Sequence, residues 1–246
     1  VARFPFDNFS DASNKLGTQM KATGEVMSIG RTMEESLLKA VRSLETGVCH
    51  IYHKKFDKWS NDNLLAYIKG GTDDRLYAIG QLIRNGVDLA LIYDKTKIDM
   101  FFLEKFKNIV EFENVVRAHP MDVETLRAAK RMGFSDKYIG QLWGLSQNEM
   151  YRLREKNNVF PVYKMIDTCA SEFASYVPYF YSTYEEENES IVSGKEKIIV
   201  LGSGPIRIGQ GVEFDYSTVH AIWSIRAAGY EAIIINNNPE TVSTDY

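Results

Sequence analysis

Apolar residues in the middle of the chain recur at the spacing expected for one face of a helix. Such a run begins near residue 37, and a longer run with the same period extends from 98 to about 118. Thr32 and Glu35 have the spacing of a capping box just before the first run. The apolar positions of that first run are Leu37, Leu38, Val41 and Leu44. The pattern predicts an all-helical domain over residues 33–184.

Capping and turn residues divide this region into about six short helices. Residues that can begin a helix are followed at a suitable distance by a glycine that can end it. The pairs are Thr72 with Gly86, Asp122 with Gly133, and Ser135 with Gly144. Ser146 and Glu149 form a second capping box.

The first 32 residues have a different pattern. They open with alternating apolar and polar positions, as in an exposed strand, and glycines then interrupt short extended pieces. The segment contains no complete core pattern, so we expect the β-containing end of a domain. Since the first residue is Val1 and not methionine, we also expect that the chain was cut from a longer one.

Beyond Pro161 the chain becomes extended and aromatic, and residues 185–196 have the polar composition of a linker. The following pattern predicts one βαβ unit with a strand at 197–201, a helix at about 217–228 and a strand at 232–236. One crossover cannot cover both faces of a parallel sheet. The expected fold is therefore mainly α, with a central helical domain between a short β tail and one Rossmann-like βαβ unit.

Composition and charge exclude few classes of protein. The chain has 29 Lys and Arg against 33 Asp and Glu, a net charge of -4, so no global charge favours nucleic acid or a membrane. No apolar run approaches the roughly 20 residues of a membrane span. Cys49 and Cys169 are far apart and give no disulfide framework, so a reducing cytosol is the simplest setting.

The stretch KIIVLGSGPIRIGQGVEFDYS begins like a dinucleotide site, with a strand that enters a glycine-rich turn. Gly202 and Gly204 supply the first two glycines of that fingerprint, but Arg207 occupies the third position. Asparagines at 236–238 replace the acidic residue that binds the ribose. These departures disfavour a nicotinamide cofactor, although a dehydrogenase fragment stays a possible alternative.

Residues 134–158 have two interpretations. A helix, a Gly-Leu-Ser turn and a second capped helix are typical of a helix-turn-helix motif. The side chains that would face DNA are Gln147, Asn148, Tyr151 and Arg152. Phosphates would repel Glu149 and Glu155 on the same helix. We therefore favour a corner of a helical bundle and keep a DNA-binding module as the alternative function.

Cys49, His50 and His53 form a small cluster of soft ligands. Zinc needs four ligands, or three and a water, and no second pair has suitable spacing. Lys54 and Lys55 add positive charge that opposes a cation. We predict a surface or loop cluster here and no metal site.

Several long stretches together resemble one family, the large chain of carbamoyl phosphate synthetase. They are TQMKATGEVMSIGRTMEESLLKA, RMGFSDKYIGQLWG, PVYKMIDTCASEF, YSTYEEE, VLGSGPIRIGQGVEFDYSTVHA and NNNPETVSTDY. They occur in order over nearly the whole chain, with the fewest diagnostic residues between 46 and 115.

The resemblance implies an assignment for each segment. Residues 1–32 would end the first ATP-grasp module, and residues 33–184 would be the oligomerisation domain. Residues 185–196 would be a linker, and residues 197–246 would begin the second pre-ATP-grasp domain. Two stretches that the family needs for catalysis, the Glu-x-Asn-Pro metal ligands and the second nucleotide site, would lie outside this sequence.

The resemblance also implies the chemistry of the whole enzyme. It would make carbamoyl phosphate from bicarbonate, ammonia and two ATP with magnesium or manganese, for arginine or pyrimidine biosynthesis in the cytoplasm. A glutaminase small chain would supply the ammonia, and the large chain would self-associate. No catalytic, cofactor-binding or metal-binding residue is expected in this fragment, which we expect to be inactive alone and to bind neither nucleic acid nor membrane.

By the same resemblance, Gly211 and Glu213 would line the tunnel that carries carbamate between the two active sites. A glycine keeps a passage open because it has no side chain, and a carboxylate can bind a donor there. The alternative is structural: Gly211 permits close backbone packing and Glu213 pairs with a neighbouring arginine.

Overall fold

The computed structural model describes residues 1–9, 11–167, 169, 172–173, 178–202, 204–211 and 213–236. The first strands, β1 (Ala2–Arg3) and β2 (Gly24–Glu25), pair in antiparallel orientation. The strand predicted at the start of the chain is only two residues long because Pro5 begins a 3-10 turn.

Eight helices follow, which we call the helical unit. They are α1 (Met33–Ser43), α2 (Asn61–Ile68), α3 (Arg75–Arg84), α4 (Leu89–Thr96), α5 (Met100–Ala118), α6 (Val123–Arg131), α7 (Asp136–Trp143) and α8 (Gln147–Lys156). The longest, α5, contacts α1, α3, α4, α6 and α7, so it forms the centre of the unit.

Capping residues explain most of these helix starts. The side chain of Thr32 accepts a hydrogen bond from the Glu35 backbone at 3.2 Å, but the Glu35 carboxylate accepts from the Arg31 backbone instead of that of Thr32, so half of the predicted capping box forms. Ser146 and Glu149 form both bonds of the predicted capping box. Asp122 and Ser135 also cap the helices predicted to begin there, α6 and α7. Each cap satisfies a backbone N–H that the helix leaves without an internal partner.

The prediction that Thr72 caps a helix is wrong. Thr72 forms an isolated β-bridge with Lys15, and α3 begins only after Asp74. Asp74 does not cap α3 with its side chain, because its carboxylate accepts hydrogen bonds from Lys55 at 2.7 Å and Tyr67 at 2.6 Å. Two eight-residue helices, α2 and α4, were not predicted.

The helical unit has one main apolar core. Side chains from most of its helices meet there, with α5 passing through the middle. Its largest fully buried members are Leu38, Ile51, Phe56, Leu64, Ile68, Ile79, Leu82, Ile92, Leu103, Ile109, Leu126 and Phe134.

A charged network lies within this apolar core. The buried Glu113 carboxylate accepts hydrogen bonds from Arg84 Nε at 2.9 Å and Nη2 at 2.5 Å, and lies 3.0 Å from His50 Nε2. Burial alone would raise the pKa of Glu113, but the bonds from Arg84 and His50 bring it down to about 2. An ionised Glu113 paired with Arg84 therefore persists inside the core.

His50 is buried against Phe134 and Tyr138, and its ring stacks on Tyr138 at a centroid distance of 3.7 Å. Burial lowers the pKa of His50 to about 4. Its Nδ1 has no hydrogen-bond partner, so we assign a neutral ring whose Nε2 donates to Glu113. His50 lies in a loop, as predicted, but it is not on the surface, because helix packing encloses the ring.

Strands β3 (Val162–Met165) and β4 (Phe180–Thr183) pair in antiparallel orientation, with Val162 opposite Thr183. This confirms the extended, aromatic segment predicted after the last helix. Thr183 Oγ1 donates a hydrogen bond to Glu35 Oε1 at 2.8 Å, which attaches the strand pair to α1.

The chain continues through β5 (Lys197–Leu201), α9 (Glu213–Ala227) and β6 (Glu231–Ile235). The two strands are parallel, in register from Lys197 opposite Glu231 to Leu201 opposite Ile235. We call this segment the βαβ unit. It confirms the predicted crossover, although α9 begins four residues earlier than expected. The fold is mainly α, as predicted.

No helix in the described ranges is both long enough and apolar enough to cross a membrane.

Candidate functional site

The loop between β5 and α9, residues 202–212, contains the glycines singled out in the sequence. Its first glycine closes the end of the two-stranded sheet. The Gly202 N–H donates to the Ile235 carbonyl at 2.8 Å, and a Cβ on Gly202 would lie 3.0 Å from that oxygen. The Asn236 side chain is equally close, at 3.1 Å. Gly202 therefore permits a close approach of backbone to backbone at this sheet end.

The second glycine faces the helical unit. A Cβ on Gly204 would lie 2.7 Å from Oε1 of Glu45, which follows the end of α1. The other carboxylate oxygen of Glu45 accepts a hydrogen bond from Arg207 Nη2 at 2.5 Å. The Glu45 carboxylate thus lies against Gly204 and accepts a hydrogen bond from Arg207, although Glu45 is 162 positions earlier in the chain than Arg207.

A second contact joins the loop to the tail. A Cβ on Gly24, in β2, would lie 3.0 Å from both the Cβ and the backbone nitrogen of Ile206. The preceding residue, Pro205, is buried. The loop therefore packs against the tail as well as against the end of α1.

The rest of the loop is a turn that leads into α9. Gln210 N donates to the Arg207 carbonyl, and Arg207 N donates to Gln210 Oε1, both at 3.1 Å. Gly209 has a φ of +84°, a conformation that glycine adopts without strain. The turn orients the following residues, Gly211 and Glu213, at the start of the helix.

Gly211 and Glu213, predicted to line a tunnel, lie against each other. A Cβ on Gly211 would lie 2.7 Å from Glu213 Oε2, so the carboxylate folds back over the glycine. Within the described residues Glu213 forms no ion pair. Arg207, the cation of this loop, pairs with Glu45 instead. Asn237 and Asn238 lie outside the described residues.

The loop does not fit a nucleotide phosphate. Glu45 lies against Gly204, and Glu213 and Asp215 occupy the first turn of α9, where helix amides would otherwise attract an anion. Within the described ranges, no three His, Cys, Asp or Glu side chains converge as metal ligands. In this loop, carboxylates thus stand where a nucleotide phosphate would need positive charge.

Two family models match the chain. Residues 25–158 match the oligomerisation domain of the carbamoyl-phosphate synthetase large chain, and this match alone covers more than half of the sequence. The chain belongs to this large-chain family. Residues 194–246 match the preATP-grasp domain of carbamoyl phosphate synthase, which places the glycine loop in that domain. The large-chain resemblance inferred from the sequence is thereby confirmed.

The large-chain match favours a structural interpretation of the helix pair α7–α8. The pair lies inside the oligomerisation-domain match, and Ile139 and Met150 are fully buried. Arg154 on α8 forms a 2.8 Å ion pair with Asp136 of α7. The pair thus packs as a corner of the bundle, as favoured from the sequence.

A groove of about 670 Å³ lies elsewhere on the large-chain fragment, between the start of α1 and helices α5 and α6. Several basic side chains line it, but carboxylates of the same chain already pair with them. The pairs are Arg31 with Glu185, Lys105 with Glu34, Arg127 with Glu124, and Arg131 with Glu186. The basic side chains of the groove thus already face carboxylates of the same chain.

Proposed function

We propose that this chain joins the two synthetic halves of a carbamoyl phosphate synthetase large chain. Residues 1–32 would end the first ATP-grasp module, and 33–184 would form the oligomerisation domain. Residues 185–196 would link it to the second pre-ATP-grasp domain, which would begin at 197. The observation that carries this proposal is the order of the two family matches along one chain.

The complete enzyme would be an ATP-dependent ligase of the cytoplasm. It would form carbamoyl phosphate from bicarbonate, two ATP and ammonia released from glutamine by a small chain, with magnesium or manganese. Two ATP-driven steps with an unstable intermediate need fixed spacing and protection from water. The role of this segment would be to hold that spacing, and the sequence on either side of it in the gene should be ATP-grasp sequence.

This chain alone should not hydrolyse ATP, since carboxylates occupy the glycine loop and the family's Glu-x-Asn-Pro metal ligands would lie outside this sequence. The test is ATP turnover by the purified chain with magnesium and bicarbonate. Turnover that co-purifies with the chain through several columns would contradict the proposal.

We place Gly211 and Glu213 in the wall of the carbamate passage. The support is their adjacency: a glycine next to a carboxylate without an ion pair among the described residues. In the complete enzyme, Gly211→Phe should displace the Glu213 carboxylate and put an aromatic ring in its place. Glutamine and ATP hydrolysis should then continue while carbamoyl phosphate formation falls by about tenfold or more.

Gly194→Phe is the matched control, because Gly194 is exposed and nothing lies within 4 Å of its position for a Cβ. It should leave the ratio of product to ATP unchanged. If the Gly211→Phe enzyme forms the normal amount of carbamoyl phosphate per ATP, the passage does not run along this loop.

We also propose that the helical unit self-associates through α4 and α5. These helices pack together, and both carry large apolar side chains that are exposed in the monomer. The exposed residues are Leu91, Tyr93, Phe101, Phe102 and Val115. Burial of such a surface against a second copy would remove apolar area from water.

Sedimentation of the chain should show dimers or larger species at high concentration. Phe102→Asp should weaken association about tenfold or more, because it places a charge in the apolar contact. Tyr151→Asp is the control. It changes an exposed aromatic residue on α8 and should not weaken association. A strict monomer at high concentration would contradict self-association.

A further inference from the structure

We infer that Glu45 and Arg207 form a clamp that positions the glycine loop on the helical unit. Neither residue belongs to the proposed passage. Through the turn that follows Arg207, however, the clamp sets the position of Gly211 and Glu213. The consequence for catalysis rests on the proposed function, whereas the clamp itself is a property of this chain.

The first observation is the backbone of Glu45. This residue directly follows the last turn of α1 and has a φ of +54°, a left-handed conformation that is uncommon for a residue other than glycine. Gly47, two residues later, has a φ of +80°. The chain is thus folded sharply at the end of α1, and in this conformation the Glu45 carboxylate reaches Arg207.

The second observation is the absence of a side chain at residue 204. Both carboxylate oxygens of Glu45 lie against Gly204, where a Cβ would be 2.7 and 2.9 Å from them, and one of the two also accepts from Arg207. A larger residue at 204 would meet the carboxylate and displace it from the guanidinium. The glycine is therefore part of the clamp, and it explains the second glycine of the motif without a bound phosphate.

The third observation is the charge around Arg207. Asp7, from the tail, also feels this guanidinium: the hydrogen bond from Arg3 is the main cause of its lowered pKa, and Arg207 contributes further. Asp7 pairs with Arg3, whereas the ion pair of Arg207 is with Glu45. The pair with Glu45 gives a structural role to the arginine at the third glycine position of the dinucleotide fingerprint.

An exposed ion pair often contributes little to stability, and the side chains of Glu45 and Arg207 are each 45% exposed. The clamp therefore needs a direct test of coupling. Hydrogen exchange of the whole 246-residue chain reports local opening of residues 204–211, with the amides of α5 as an internal reference. Arg207→Met and Glu45→Gln should each make the loop amides exchange about two- to fivefold faster, with α5 unchanged.

The double variant provides the decisive comparison. If the two residues act only through each other, Glu45→Gln with Arg207→Met should exchange no faster than either single variant. Arg207→Lys, which keeps the charge, should recover part of the protection. Glu111→Gln is the control, because it breaks an exposed pair with Lys107 on α5. Loop exchange unchanged by both single variants, or changes that simply add, would overturn the clamp.

A second measurement separates the clamp from the passage. In the complete enzyme, Arg207→Met should lower carbamoyl phosphate formed per ATP while the KM for ATP stays constant. Faster loop exchange with unaltered coupling would leave the clamp in place and show that it does not control the passage, which Gly211→Phe tests separately.

Discussion

The isoleucines in the strands of the βαβ unit are more exposed than those in the core of the helical unit, although Ile222 of α9 is buried. Ile109, in α5, is fully buried, whereas Ile199 in β5 is 56% exposed and Ile235 in β6 is 54% exposed. Burial of apolar surface stabilises a fold by about 25 cal/mol per Å², so exposed side chains contribute little. The helical unit therefore contains its own core, while the βαβ unit is held by its strand pairing and by a few contacts of α9.

The charged groups of the two units differ in the same way. Glu113 is enclosed with Arg84 and His50, but Glu45 and Arg207 remain accessible to water. Removal of one partner from a buried pair leaves an uncompensated charge, whereas an exposed group is simply solvated. Global stability should therefore depend on the helical unit, and the position of the glycine loop on weak, accessible contacts.

The largest expected loss of stability follows from breaking the buried pair of Glu113 and Arg84. Glu113→Ala should lower the free energy of unfolding by about 3–5 kcal/mol, because Arg84 would stay buried without its partner. Glu111→Ala, two residues away on the same helix, should cost less than about 1 kcal/mol, since its pair with Lys107 is exposed. Urea unfolding followed by circular dichroism measures both. Similar losses in the two variants would contradict the contrast between buried and exposed charges.

A matched pair of isoleucines tests the apolar contrast. Ile109→Ala should cost about 3 kcal/mol, because it leaves a cavity in the core. Ile199→Ala should cost about 0.5 kcal/mol or less, since much of that side chain is already in water. The same urea titration compares them. A large loss for Ile199→Ala would mean that self-association buries the βαβ strands, and sedimentation of the variant would show it.

Local signals account for what the sequence predicted well. The capping box of Ser146 and Glu149 needs only residues three positions apart, and β5 has the predicted bounds because a continuous apolar run defines it. The helices α2 and α4, by contrast, have eight residues each and lie where the chain has few diagnostic residues. Such short helices give too few turns for a clear apolar period; α7 is equally short, but Ser135 and Gly144 mark both of its ends.

Contacts between distant segments account for what was missed. Thr72 does not cap α3, because Lys15 engages its backbone from 57 positions earlier. His50 is buried because Glu113 and Tyr138 enclose it, which no spacing near residue 50 could indicate. Glu45 lies 162 positions from Arg207, so the sequence showed an unexpected arginine but not its partner.

After the buried ion pair and the buried isoleucine, the smallest of the three expected effects on stability is a pH dependence confined to the helical unit. The pKa of His50 is about 4 in the folded chain and 6.5 in its ordinary state. Between these values the unfolded chain binds the extra proton, so stability is complete above pH 6.5 and falls as the pH falls toward 4. The loss from pH 7 to pH 5 should be about 2 kcal/mol.

His50→Gln should remove this slope, because glutamine keeps a donor for Glu113 but does not titrate. Glu113 contributes little in the same window, since its pKa falls from 4.5 to about 2 and its effect appears only below pH 4.5. Unfolding at several pH values, with hydrogen exchange of β5 and β6 recorded in parallel, measures the effect. If the slope persists in His50→Gln, another group of the helical unit binds the proton; if the strands share the slope, the two units unfold together and the contrast between them fails.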